Sequence, residues 1–178
     1  MGAIEAIQSV YLEANASVVT FDINSSPGNT YEHLQLRGTL IQAHPFGASD
    51  FTVNLAAGGG SVDTANNYSY VAMSGDGTSA SVPVRGINAR QKFYSSSTTG
   101  NGQDASSYTG FVMDILDYRS TTKNTTTMLT ISFPDDPAVF FNAGSWNNTG
   151  AVTTVQIEGS HADIVRGSSF NLYGLKSS

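Results

Sequence analysis

An all-β sandwich is the fold that this sequence predicts, and three observations predict it. Apolar residues recur with a period of two, and no stretch of helical length carries them at i, i+3, i+4 and i+7. The composition supplies 23 Ser, 18 Thr, 13 Asn and 18 Gly, residues that suit strands and turns and compete with helical hydrogen bonding. Turn signals punctuate the chain at short intervals, as many short strands require. With 178 residues and no Cys, the chain reads as one domain, large enough to bury a core without disulfide staples.

The elements follow in order. Strand composition marks Ser9 to Leu12, Ser17 to Ile23, Tyr31 to Gln42, Asp50 to Ala56, Tyr68 to Met73, Ser81 to Ile87, Tyr108 to Tyr118, Thr126 to Phe133, Ala138 to Asn142, Ala151 to Glu158 and Ser168 to Tyr173, about ten antiparallel strands. Turns fall at Ser26-Pro-Gly-Asn29, His44-Pro-Phe-Gly47, Gly58-Gly-Gly-Ser61, Gly75-Asp-Gly77, Gly100-Asn-Gly102, Pro134-Asp-Asp-Pro137 and Arg166-Gly167. From Tyr31, Leu34, Leu36 and Leu40 share one face with Gly38 between them, and His33, Gln35, Arg37 and Thr39 take the other, so one face is core and one is wet. Phe111 to Leu116 instead puts apolar groups on both faces, the pattern of a central strand whose second face is covered, for instance by a partner subunit. Tyr94 to Ser107 is poor in apolar residues and reads as a long exposed loop. Residues 1–8 read as an N-terminal arm or first edge strand ahead of the sandwich at residues 9–178.

Charge narrows the function. Only 12% of the residues are charged, against about 25% in an average soluble domain, and the formal net charge is -6. The eight Lys and Arg are scattered, with Arg85, Arg90 and Lys92 the only close group, so no basic stripe exists to neutralise nucleic-acid phosphates. The N-terminus has no basic residue and no long apolar run, which predicts neither a secretory signal nor a membrane span.

Catalytic patterns are weak throughout. His33, His44 and His161 stand apart in sequence, and no Gly-x-Ser-x-Gly elbow accompanies the many serines. Asp114 and Asp117 point to opposite faces of a regular strand, while Asp135 and Asp136 sit between two prolines in a turn, so neither pair forms the facing carboxylates of a glycosidase. No metal motif occurs. Ser74-Gly-Asp-Gly77 is only a fragment of one, although calcium sites built from Asp and carbonyls often lack a linear motif. The expectation is a protein that is not an enzyme and takes no cofactor. Aromatic residues offer a binding option: Trp146 with Tyr68 and Tyr70 forms a candidate stacking platform for a glycan, against the plainer reading of a Trp packed at the core edge with its N–H bonded locally.

Four segments carry a resemblance. Tyr31-Glu-His-Leu-Gln-Leu-Arg-Gly38, Asn67-Tyr-Ser-Tyr70, Ile115-Leu-Asp-Tyr-Arg-Ser-Thr-Thr-Lys123 and Gly167-Ser-Ser-Phe-Asn-Leu-Tyr-Gly-Leu175 resemble, in this order, the signatures of small jelly-roll virion proteins of tailed bacteriophages. The likeness spans about Ser9 to Leu175 and is most specific in the Phe-x-Leu-Tyr-Gly-Leu ending. It implies a jelly-roll sandwich and a non-enzymatic place in a virus particle, with no catalytic residues to carry over.

Such a place has two forms. The favoured one is a capsid decoration (cement) protein, a homotrimer on the outside of the head that bridges major capsid subunits, made in the bacterial cytoplasm and located on the virion. Here Ile4 and Ile7 of residues 1–8 are the candidate partner-binding arm, adding a strand to a neighbour's sheet. The other is a tail-fibre or receptor-binding module that recognises a cell-surface glycan through Trp146, Tyr68 and Tyr70. The absence of repeats and of a heptad stalk favours the first.

Overall fold

A computed structural model describes residues 4–43, 49–89, 92–95, 108–133 and 138–176. Among these residues the chain is all-β, with twelve strands: β1 (Ile4–Tyr11), β2 (Val18–Asp22), β3 (His33–Leu40), β4 (Ser49–Ala57), β5 (Tyr68–Gly75), β6 (Ala80–Ala89), β7 (Lys92–Ser95), β8 (Thr109–Leu116), β9 (Thr125–Phe133), β10 (Ala138–Trp146), β11 (Val152–Gly159) and β12 (Ser169–Leu175). They form two antiparallel sheets that pack as a sandwich, one of eight strands in the order β1-β12-β3-β8-β9-β10-β5-β6 and one of four in the order β2-β11-β4-β7. This order is compatible with a jelly roll. No helix of the described residues is long and apolar enough to cross a membrane.

Alternation sets which side chains meet between the sheets. Phe111, Met113 and Ile115 of β8 and Leu34, Leu36 and Leu40 of β3 point inward and are buried. Phe21, Phe51, Val53, Val155 and Ile157 meet them from the smaller sheet. One aromatic contact crosses the gap, with the Phe51 ring 5.3 Å from Phe111, and each ring has a neighbour in its own sheet, Phe93 at 5.2 Å from Phe51 and Phe170 at 6.3 Å from Phe111. Gly38 pairs with Phe111 on one side and Phe170 on the other, and a Cβ there would come within 2.8 Å of both rings. The inward gap in the leucine row of β3 is therefore filled from its two neighbours.

The structure decides one alternative that the sequence left open and corrects two expectations. The first strand begins at Ile4 and crosses the expected boundary at residue 8, pairing with β12 from Ile4↔Leu175 to Tyr11↔Ser169. Residues 4–8 are thus an edge strand of this chain's own sheet; Ile7 packs against the core and Ile4 is 47% exposed. Second, β7 lies partly within the expected loop. Phe93 is buried, and four residues are too short a run for periodicity to register. The rest of that loop, at residues 96–107, lies outside the described residues, as do the turns from His44 to Gly47, Gly100 to Gly102 and Pro134 to Pro137. Third, β10 runs on to Trp146, so the indole ends an inward-facing row instead of standing in a loop.

Candidate functional site

The smaller sheet covers one face of the larger, and the other face of the eight-stranded sheet presents its own pattern. On the four adjacent strands β8, β9, β10 and β5, the outward positions include Val112, Met128, Val139, Phe141, Val71 and Met73, all exposed; Val139 is 54% and Met73 51% accessible. Phe141 pairs directly with Met73 across β10 and β5, and through Thr130 it lies in one row with Val112. Met128 and Val71 lie in the next row on either side of Ala143. Scattered exposed apolar residues are ordinary, but a contiguous set is the mark of an interaction surface.

A polar rim borders this patch on β3, β8 and β12. Gln35 Nε2 donates to Asp114 Oδ1 at 2.7 Å, Arg37 Nε donates to Gln35 Oε1 at 2.6 Å, and the Arg37 guanidinium lies 5.1 Å from the centre of the Tyr173 ring. Between rim and patch, Arg37, Val112, Thr130, Asn171 and Tyr173 line a shallow groove of about 490 Å³. Asp114 is committed to this network on the sheet face, and Asp117 lies beyond the end of β8, so the two carboxylates do not face one cleft.

A second feature sits at one end of the sandwich, where β3 begins and β8 and β12 finish. Asp117 takes a left-handed backbone conformation, φ 51°, which Asp tolerates better than most residues. Its N–H donates to His33 Nδ1 at 2.9 Å, its carbonyl accepts the Ser120 N–H at 2.8 Å, and its Oδ2 holds Lys123 Nζ at 2.9 Å. Ser120 Oγ accepts the N–H groups of Thr122 and Lys123, so the segment closes on itself, and the buried Tyr118 hydroxyl ties it to the Gly28 carbonyl. Opposite, the buried Tyr31 ring lies against Gly174, its hydroxyl donates to Glu5 Oε2 at 2.7 Å, and Lys176 Nζ bridges to Glu5 Oε1 at 3.0 Å. Between the two lies an open pocket of about 480 Å³. The Lys123 ammonium holds the Asp117 carboxyl below the usual range, and the hydrogen bond from Tyr31 does the same for Glu5.

Glu32, His33 and Asp117 are the residues here that could hold a cation, with ligand atoms within 4.8 Å of one another. Lys123 already neutralises Asp117, and His33 Nδ1 is occupied by the Asp117 N–H, so the cluster is satisfied by its own partners. His161 faces Asp50 at 3.7 Å in another part of the chain, and His44 lies outside the described residues. Asp76 caps the β5–β6 hairpin, accepting the N–H groups of Thr78 and Ser79, which accounts for the Gly75-Asp-Gly77 sequence as turn chemistry.

The expected glycan platform does not stand. Trp146 and Tyr68 are each 1% exposed and stack on one another with ring centroids 6.3 Å apart, inside the core. Trp146 Nε1 donates to Asp63 Oδ2 at 2.9 Å, and the Tyr68 hydroxyl donates to the Asp63 carbonyl, so both polar tips are used internally. Tyr70 follows Tyr68 on the same face of β5, with its ring against Gly86. A large aromatic pair buried in this way has no face left for a sugar. Neither a protein-family model nor a curated protein sequence matches the chain.

What sequence reading missed is the gathering of basic groups at the end pocket. Arg119, Lys123 and Lys176 look scattered along the chain, but Arg119 and Lys123 fall within one turn segment and Lys176 follows the strand paired to β3. The signal was the Asp-Tyr-Arg-Ser-Thr-Thr-Lys run itself, whose spacing suits a turn closed by its own hydroxyl and carboxylate. The close group of Arg85, Arg90 and Lys92 has no described side chains.

Proposed function

We propose that the chain is a non-enzymatic structural protein of a tailed-bacteriophage particle, a decoration protein seated on the outside of the head shell, where as a homotrimer it bridges major capsid subunits. One observation carries this reading: the apolar outer face of β8, β9, β10 and β5, which no described part of the chain covers. A surface of this kind gains free energy on meeting another surface, at roughly 25 cal/mol per Å² of apolar area removed from water. The low charge of the chain agrees, because interface centres are depleted in Lys, Glu and Asp. The four-segment resemblance supplies the particle, and the sheet face supplies the means of attachment. Attachment through a free N-terminal arm is replaced here by attachment through the sheet, since β1 is used within its own sheet.

Immunogold labelling of intact particles tests the reading. Label spread evenly over the heads is expected; label confined to tails overturns it. Purified shells mixed with the protein and sedimented provide the second readout, with the Phe141→Ser/Met73→Thr double variant expected to stay in the supernatant.

A further inference from the structure

Three of the eight basic residues of this acidic chain line the end pocket, yet they are not equivalent. Lys123 is neutralised by Asp117 at 2.9 Å and Lys176 by Glu5 at 3.0 Å. Of the three, Arg119 alone makes no hydrogen bond or ion pair among the described residues, and it lines an open pocket of about 480 Å³, within the range of small-molecule sites. The other lining residues are Asp117, Glu32, Ser120, Thr30 and Tyr31, so the polar groups available beside the three cations are carboxylates and hydroxyls. This inventory specifies a ligand. One unpaired guanidinium fits one planar, singly charged acceptor, and a carboxylate matches its fork in two parallel hydrogen bonds. Carboxylates and hydroxyls around it accept and donate to neutral hydroxyl groups. A phosphate monoester, with a charge of about −1.5 to −2 at pH 7, would meet the Glu32 and Asp117 carboxylates with up to about twice the repulsion of a singly charged carboxylate.

We propose that this end pocket binds a carboxylate-bearing sugar of the uronic-acid type, with Arg119 holding the carboxylate and Asp117, Glu32 and Ser120 meeting the ring hydroxyls. The site stands independently of the head-attachment reading. It lies among strand ends, off the outer sheet face, so a protein seated by that face leaves the pocket open.

The test uses the purified full chain and four probes followed by NMR shift titration: methyl β-glucuronide, methyl β-glucoside, glucose 6-phosphate and an acetylated Asp-Glu dipeptide. Saturable shifts with the glucuronide are expected, weakening with added salt, with the neutral glucoside, the phosphate and the dipeptide at least about tenfold weaker. Arg119→Ala should weaken the glucuronide by about tenfold or more, as expected for loss of a charge-assisted hydrogen-bonded pair, and Arg119→Lys should recover part of the affinity. Arg119 is exposed and unpartnered, so unchanged melting of both variants is the folding control. The proposal is overturned if the glucuronide does not saturate, if any other probe binds as well, or if Arg119→Ala binds like the parent. Shell sedimentation of Arg119→Ala should be unchanged, which separates failure of this site from failure of the sheet-face reading.

Discussion

Trp146 and Asp63 are held together across the end of β10: the indole Nε1 donates to Asp63 Oδ2 at 2.9 Å. Asp63 also accepts the Ala65 N–H and the Asn67 amide on its side chain, donates its own N–H to the Leu55 carbonyl and accepts the Tyr68 hydroxyl on its carbonyl. One residue therefore satisfies both polar tips of the buried Trp146–Tyr68 stack. Replacing Asp63 with Ala leaves a buried N–H without an acceptor, which costs about 1–3 kcal/mol. Asp63→Asn keeps an oxygen in place and should lose less. Thermal melting followed by the fluorescence of the single Trp gives both values, and equal melting of Asp63→Ala and parent would remove this role.

The same carboxylate predicts a pH dependence. Burial pushes the Asp63 pKa up, but hydrogen bonds from Asn67, Trp146 and Ala65 outweigh it, and the net position is below the ordinary value. A depressed folded pKa stabilises the fold fully above the unfolded value, about 3.9 for Asp, and that contribution is lost as pH falls through the folded value. Asp76, Asp117 and Glu5 are shifted in the same direction by their own hydrogen bonds. Melting temperature is expected to hold nearly level from pH 7 to about 5 and to fall below about 4. Asp63→Asn should fall less steeply over that acid range, as read by a melting series in matched buffers.

Much of this fold was legible in the sequence because burial alternates cleanly: all eleven segments with strand composition coincide with strands. β7 escaped because four residues are too few to give a period to detect. Residues 4–8 were ambiguous because an edge strand, wet on one side, has the composition of a loose arm. The site was less legible. Trp146 meets Asp63 from 83 positions away, and His33 meets Asp117 from 84, so neither partnership leaves a local trace. A lone Trp among Asn residues reads equally as platform or core until the chain is folded.

Gly174 is required by Tyr31. A Cβ at position 174 would lie 2.1 Å from atoms of the Tyr31 ring, closer than any real contact, and the ring is fixed in turn by its hydroxyl on Glu5. Gly174→Ala must push the ring out or bend β12, at a cost of about 1–3 kcal/mol for overpacking. The loss should be largely relieved in Gly174→Ala/Tyr31→Ala, where the obstructing ring is gone. A double-mutant cycle on chemical denaturation measures this coupling, and additive losses would contradict it.

Deleting residues 1–8 distinguishes an edge strand from a loose arm. The deletion removes the pairing from Ile4↔Leu175 to Gln8↔Leu172 and the Glu5 acceptor shared by Tyr31 and Lys176. It also bares the edge of β12 to other chains. Lower melting temperature and concentration-dependent association are expected, read by calorimetry and light scattering; a truncated chain that melts like the parent and stays monodisperse would restore the arm.

Phe141 and Met73 supply the sharpest separation between stability and attachment. Both stand on the outer sheet face, paired directly across β10 and β5, and both remain exposed in the folded chain. Exposed side chains away from caps and buried networks usually change stability by no more than about 0.5 kcal/mol when replaced. Thr and Ser keep strand-compatible side chains at these positions, so Phe141→Ser/Met73→Thr should melt close to the parent. Attachment depends on the apolar area of that face, so the same double variant should lose most of its binding to shells, whereas a control pair on the smaller sheet, Thr20→Ser/Gln156→Ser, should bind as the parent does. Retained binding by the outer-face variant, at matched melting temperature, would show that the sheet face is not the surface by which this protein holds its partner.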